Sequence, residues 1–351
     1  MSTTAERHEL ATTVRAALTR HGDRTVLRRA IDGDTGYDEH LWRVLCEQVG
    51  VAALAVPEEF GGIGAGLAEA LIVVAELGRT LHAPPMLGSA VLGVQALLLS
   101  GDADACARLL PEVAEGARTL AVCWAGARGW DDFGVRAENG KLSGTAHYVL
   151  DGGAADTLIV VTATGLYEID AAATGVTRTA VATMDVTRRL WEIGFDAAPA
   201  RALVGDAAAP AARLRDIAWA ALAAEQVGAA DECLRATVEY TGSRVQFGRP
   251  IGGFQALKHR MADMYVLVES ARSVADSAIS ALDAGDEFAG AEIAAARIHC
   301  TESFRSVAGE MIQLHGGIAI TWEHDAHLFF KRAHADAELF GVPARPLARP
   351  A

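Results

Sequence analysis

The sequence predicts an α+β fold that is mostly α: helices, then a block of strands, then helices again. Three observations predict it. Apolar residues recur at helical spacing through residues 1–117 and again through 209–351. Between them, over 118–208, short β-branched or aromatic stretches alternate with Gly, Asp and Asn turns. Alanine is abundant and aromatic residues are only 6% of the chain, which favours closely packed helices over an aromatic-rich sheet. The expected domains are therefore 1–117, 118–208 and 209–351, with no internal repeat or low-complexity linker.

Each element follows in order. "TTVRAALTR" and "DEHLWRVLCEQVG" repeat apolar residues with a helical period. "VPEEFGGIGAG" reads as a loop ahead of the helix "LAEALIVVAELGRTL". The spacing of Gly62, Gly64 and Gly66 departs from GxGxxG and no strand precedes them, so a tight turn is expected rather than a phosphate cradle. "TLAVCWAG", "KLSGTAHYVLD", "DTLIVVTA", "LYEIDA", "TRTAVAT" and "RRLWEIGFDA" read as antiparallel strands of a small barrel or sandwich. "TATGLYEID" has the form of a hairpin. A first C-terminal helix covers roughly Pro210 to Thr241. A second, on the order of 40 Å long, carries Phe254, Leu257, Met261, Met264, Val268, Ala271, Ala275, Ala278 and Leu282. A third carries Ile293, Ala296, Cys300, Val307 and Met311. Long helices with narrow apolar stripes suit a bundle that also packs against other subunits.

Composition narrows the partners. A net charge of -14 leaves no broad basic face for nucleic acid or an anionic membrane. Five cysteines (Cys46, Cys106, Cys123, Cys233 and Cys300) lie far apart without a CxxC pair, as expected of reduced, buried thiols in a cytoplasmic protein. The start "MSTTAERHEL" has no signal-peptide core, and the longest near-apolar run, Met86 to Leu99, is too short to span a bilayer.

Chemistry concentrates in "SRVQFGRPIGGFQALKH". Pro250 and Gly252-Gly253 break one helix and start another, with Arg244 and Arg249 beside the break. A helix N-terminus with a guanidinium fork suits a phosphate or pyrophosphate. Phe247 and Phe254 could cover a flat ring, with Gln246 or Gln255 at its edge. Core phenylalanines and surface ion pairs would give the same pattern. In "QLHGGIAITWEHDAHLFFKRAH", Gln313 before Gly316-Gly317 either admits a ligand to the backbone or marks a glycine helix stop. His324, His327 and His334 lack HExxH spacing and a nearby cysteine, so polar positions on an amphipathic helix are expected rather than a metal site.

Together, "RVQFGRPIGGFQALKHRMADM" and "QLHGGIAITWEHDAHLFFKRA" resemble the C-terminal signature of the acyl-CoA dehydrogenase family. "VPEEFGGIGAGLAEALIVVAELGRTL" resembles its N-terminal helical signature, and "GTAHYVLDGGAADTLIVV" its middle β-domain. The resemblance implies an N-terminal helical domain, a middle antiparallel β-domain and a C-terminal four-helix bundle. It implies FAD bound between subunits, an acyl-CoA substrate and an electron-transfer flavoprotein-type acceptor. On this basis Arg244 and Phe247 match the residues that meet the FAD of a neighbouring subunit. Phe254 and Gln255 match the next pair, and Gln313, Gly316 and Gly317 match the Gln-x-x-Gly-Gly at the adenosine end.

Three departures qualify the resemblance. The family's Thr-Glu-Pro-x-x-Gly-Ser-Asp flavin-ring stretch is replaced by "AVCWAGARGWDDFG", and its Trp-x-Thr by Tyr148 and Leu150, where leucine has no hydrogen bond to give. The usual catalytic glutamate position holds Phe340, and the alternative base position on the first C-terminal helix holds Ala218. Glu225, about 10 Å further along that helix, is the best remaining carboxylate. Asp216 is a candidate contact to CoA. After Gly341 only "VPARPLARPA" follows, with no counterpart to the family's terminal helix. This pattern resembles the degenerate subunit of α2β2 acyl-CoA dehydrogenases, whose partner is a homologous subunit with the complete pocket, often for bulky or steroid-type thioesters. The alternatives are a self-sufficient homo-oligomer with an atypical base and an FAD-free scaffold.

Overall fold

A computed structural model describes residues 4–203, 208–286 and 289–343. The terminal stretch compared above, from 344 onward, lies outside them. The chain divides into two compact units, Met1–Val74 with His82–Ala218, and Ala75–Leu81 with Trp219–Ala351.

The first unit begins with α1 (Thr4–His21), α2 (Arg24–Asp32) and α3 (Glu39–Val44). Aspartates start several helices by accepting an otherwise orphaned backbone N–H. Asp23 accepts from Val26 at 3.0 Å and Asp38 from Leu41 at 2.8 Å. After the "EEFGGIGAG" turn comes α4 (Leu67–Thr80), whose last residues belong to the second unit. A fully buried π-helical stretch, Met86–Gly93, runs into α5 (Val94–Ser100). Asp102 then caps α6 (Ala103–Ala114) through Ala105 N at 2.9 Å.

Ten strands follow: β1 (Leu120–Cys123), β2 (Ala125–Gly126), β3 (Gly129–Phe133), β4 (Val135–Glu138), β5 (Lys141–Leu150), β6 (Thr157–Thr162), β7 (Gly165–Asp170), β8 (Val176–Val181), β9 (Leu190–Pro199) and β10 (Arg201–Ala202). They form two sheets, ordered β1-β6-β7-β10 and β3-β2-β5-β9-β8, with β4 added to β5. Leu158 and Val160 of one sheet share a core with Ala146, Val149 and Ile193 of the other, which makes this a sandwich. The β6–β7 hairpin turns through two residues, with Thr162 opposite Gly165. One pairing departs from the antiparallel expectation: β1 and β6 are parallel, Leu120 opposite Thr157. The chain between them visits the other sheet, and such an excursion is what parallel neighbours require.

The second unit holds the later part of α7 (Ala208–Ser243), with α8 (Gln255–Ala284), α9 (Ala289–His315) and α10 (Ala326–Glu338). A short hairpin of β11 (Val245–Gln246) and β12 (Arg249–Pro250) separates α7 from α8. At 30 residues, α8 is about 45 Å long. Its buried stripe is Met264, Val268, Ala271, Ala275, Ala278 and Leu282; Phe254, Leu257 and Met261 are only partly buried. The apolar period therefore runs ahead of the buried seam by more than two turns. Small residues let α9 approach closely, and Cys300 Sγ lies 3.4 Å from Ala271 O.

Candidate functional site

The sequence-predicted residues gather at two places, one in each unit. In the second unit α7 ends at Ser243, and the β11–β12 hairpin pairs Val245 with Pro250 and Gln246 with Arg249. Its two-residue turn is Phe247-Gly248, with φ of 53° and 74°. Both are left-handed, which glycine adopts freely and phenylalanine does not. The phenylalanine is also 92% exposed. A bulky apolar side chain at a strained, solvated tip contributes little to its own fold. The Arg249 guanidinium sits 3.9 Å from the centre of the Phe254 ring, and Phe247 meets that ring edge-on at 6.0 Å. Arg244 and Lys258 make no side-chain hydrogen bond or ion pair among the described residues. Arg260 differs, being held bidentate by Glu310 at 2.6 and 2.9 Å. Gln255 Nε2 donates to His259 Nε2 at 3.0 Å.

At the end of α9, Gly316 takes φ 67° and a 3₁₀ turn, Gly316–Ile320, begins. Gln313, Gly316 and Gly317 are exposed. Gly317 needs no positive φ, and a Cβ there would meet nothing within 4 Å. The chain's own packing therefore does not require glycine at 317. Tyr240, four residues before Arg244, stacks on His315 at 4.4 Å and brings this shelf to the hairpin. Arg244, Phe247, Phe254, Gln255, Gln313, Gly316 and Gly317 thus share one end of the bundle. Cationic side chains, ring faces and open backbone are a suitable set for a dinucleotide's pyrophosphate and adenosine.

The first unit holds the stretch expected at the flavin ring, and there the fit fails. Trp124 is buried edge-on to Trp130 at 5.7 Å, and Trp130 lies 6.1 Å from Tyr148 at a 31° tilt. Arg215 secures this cluster. It donates to Trp130 O at 2.9 Å, pairs with Asp131 at 2.6 Å and lies 5.6 Å from the Trp124 ring centre. Tyr148 adopts φ 55°, and Leu150 is buried. The aromatic rings here pack on one another. Asp216 beside Arg215 is half-buried; burial raises its pKa, against the pull of Arg213 and Arg215.

No acid–base pair forms at the usual base positions. Ala218 is fully buried. Phe340 is buried with φ 62°, and its carbonyl accepts from Trp219 Nε1 at 2.9 Å. Arg297 Nη2 donates to the carbonyls of Asp336, Ala337 and Leu339 at 2.9, 2.9 and 3.0 Å, closing the C-terminal end of α10. Glu225 forms a buried ion pair with Arg332, which is itself 0% exposed. That geometry describes helix packing. The pairing partner escapes a reading of the sequence, although Arg332 falls on the helical period of the buried Leu328, Phe329, Ala333 and Asp336, where a charge is unexpected. The histidines also differ from a polar helix face: His324 precedes α10, and His327 is buried. Among the described residues no group of three His, Cys, Asp or Glu is placed to hold a metal ion, and no helix is long and apolar enough to cross a membrane.

Comparison with known proteins bears on the whole chain. Residues 4–117 match the acyl-CoA dehydrogenase N-terminal domain and residues 216–343 the acyl-CoA dehydrogenase C-terminal domain. The acyl-CoA dehydrogenase IpdE2 of Mycobacterium tuberculosis is 44% identical over 99% of this chain and 97% of its own length. IpdE2 of Mycolicibacterium smegmatis is 42% identical over 98% and 97%. Among solved structures, the Tcur3481-Tcur3483 steroid ACAD superposes with a TM-score of 0.88 at 31% identity, covering 96% of this chain and 94% of that one. The ChsE4-ChsE5 complex from Mycobacterium tuberculosis gives 0.89 at 28% identity, covering 97% and 94%.

Proposed function

This chain belongs to the acyl-CoA dehydrogenase family, and from that premise we propose that it is the β-type subunit of a heteromeric, FAD-dependent acyl-CoA dehydrogenase. It completes the cofactor site of a homologous catalytic partner in an α2β2 assembly. The family's cofactor is FAD, which supplies the hydride acceptor that no side chain provides. Arg244 with Phe247, Phe254 and Gln255 would hold the pyrophosphate region, and Gln313 with Gly316 and Gly317 the adenosine. The partner would supply the ring-binding residues and the base that removes the α-proton of the thioester. Reducing equivalents would pass to an electron-transfer flavoprotein-type acceptor.

The observation that carries this reading is the exposed, strained Phe247 tip beside an Arg244 that is unpaired among the described residues, on a chain with Phe340 and Ala218 where bases stand. A strained, exposed phenylalanine is costly to keep unless it is used. The relatives named for steroid ACAD and for a two-component complex support both the assembly and a bulky, steroid-type acyl group.

The test is to express the chain alone and together with its homologous partner, then record flavin absorbance and dehydrogenase activity. The expected result is little flavin in the chain alone and stoichiometric FAD with activity in the pair. Arg244→Ala should strip flavin from the pair. A chain that alone holds one FAD and turns over acyl-CoA would overturn the proposal.

A further inference from the structure

The last residue of α9 is a histidine, and it lies inside the protein. His315 is 4% exposed, immediately before the Gly316-Gly317 shelf. Its Nδ1–H donates to Met311 O at 2.8 Å, which leaves Nε2 as the acceptor nitrogen. That Nε2 is buried and has no hydrogen-bond partner among the described residues. The imidazole lies nearly flat on Tyr240, 4.4 Å between centres at 22°. The ring of His324, from the segment that follows the shelf, stands 4.6 Å away on the other contact. His324 is itself engaged, since its Nδ1 accepts from Ala326 N at 3.0 Å. Asp325, the residue flanking α10, makes no side-chain cap bond, so His324 serves the first N–H of that helix.

The shelf is thus held between two imidazoles. His315 fixes where the chain leaves α9, through the stack on α7. His324 fixes where it enters α10. The His324 contact needs an unprotonated Nδ1, and the buried, unpartnered Nε2 of His315 disfavours a second proton there. A proton on His315 Nε2 would create a buried, charged donor with no acceptor. A proton on His324 Nδ1 would remove the lone pair that Ala326 N–H uses. Among the described residues the titratable rings against His315 are Tyr240 from α7 and His324, and His324 itself lies between Glu323 and Asp325 in the chain.

We infer that His315 and His324 are positioning residues for the Gly316-Gly317 shelf, which keeps its FAD-binding form only while both imidazoles are neutral. The inference rests on the reading of the shelf as the adenosine end of the cofactor site. Burial, with the neighbouring His324, holds the His315 pKa below its ordinary value, so the neutral form prevails at neutral pH. A lowered histidine pKa means the folded form resists the proton. The contribution is complete above about pH 6.5 and is lost as the pH falls below it.

The experiment is FAD titration of the flavin-depleted complex, followed by flavin fluorescence from pH 7.5 to 5.5. The native complex should lose at least about tenfold in affinity over that range, where a tenfold change corresponds to 1.4 kcal/mol. His315→Phe keeps a ring on Tyr240, and His324→Asn keeps an acceptor for Ala326 N–H. The double variant should bind FAD at pH 7.5 within about threefold of the native complex, and its pH profile should be flat. His315→Ala should weaken FAD about tenfold at pH 7.5 with helicity unchanged. A double variant that follows the native profile, or His315→Ala binding like the native complex, overturns the inference. Arg244→Ala separates the two readings: if it leaves FAD affinity unchanged, the cofactor-site reading fails instead. The histidines are then decided in the flavin-free chain by NMR. A His315 midpoint below about 6.5, coupled to shifts of the Gly316 and Gly317 amides, supports the positioning role. An uncoupled titration at the ordinary value rejects it.

Discussion

At the scale of single residues, Phe247 and Glu225 invite opposite readings. Phe247 occupies a two-residue hairpin turn whose backbone favours Asn-Gly. Phe247→Asn should therefore leave thermal stability unchanged or raise it by about 0.5–1 kcal/mol. The same substitution should lower the flavin-to-protein absorbance ratio of the complex, since the ring is lost. A drop in stability without loss of flavin would show that the tip serves the fold. Glu225 is buried against Arg332, and removing the carboxylate takes a buried counter-charge from that guanidinium. Glu225→Leu should cost about 3–5 kcal/mol in urea unfolding of the flavin-free chain, while Glu225→Leu with Arg332→Met should recover most of that loss. Loss of turnover at unchanged stability would instead revive Glu225 as a base. The sequence proposes the Arg244, Gln313 and Gly316-Gly317 positions because a family signature travels in short local runs. The Glu225–Arg332 pair is not, because 107 residues separate partners whose meeting depends on helix packing.

At the scale of elements, the long helices and the hydrophobic strands announce themselves through period. The strand β6 is buried along its whole length, and "DTLIVVTA" reads as a strand. β3 and β4, "GWDDF" and "VRAE", escape a pattern-based reading because their residues are mainly polar and half-exposed, and backbone pairing with β2 and β5 makes them strands. The apolar stripe of α8 overstates its buried seam for a related reason: period records which face is apolar, whereas burial needs a neighbour to cover it. Where α9 does cover α8, the fit is close. Phe304 is fully buried on α9, and Phe304→Ala should cost about 3–5 kcal/mol, read as a lowered urea midpoint with unchanged slope.

At the scale of the whole molecule, pH dependence extends beyond the histidines. Burial raises the Asp151 pKa to about 7, with Arg188 and the Gly88 N–H opposing the shift. In the unfolded chain this carboxyl ionises near pH 4, as a free aspartate does. Between about pH 4 and 7, unfolding therefore releases a proton, and each rise in pH favours the unfolded state. Asp151→Asn removes that penalty. Its stability advantage over the native chain, taken from urea midpoints, should be small at pH 4, grow towards pH 7 and level off above. An advantage independent of pH would refute the assignment. The five cysteines have a consequence of another kind. All are buried, three in the first unit and two in the second. Burial pushes the thiols of Cys46, Cys106 and Cys300 up to about 12, 11 and 12. None reacts readily while the fold is closed. Pulsed alkylation, read by mass spectrometry at each cysteine, would then act as a set of clocks. Each labelling rate would report how often its own part of the chain opens, and so which unit a flavin or a partner subunit quiets first.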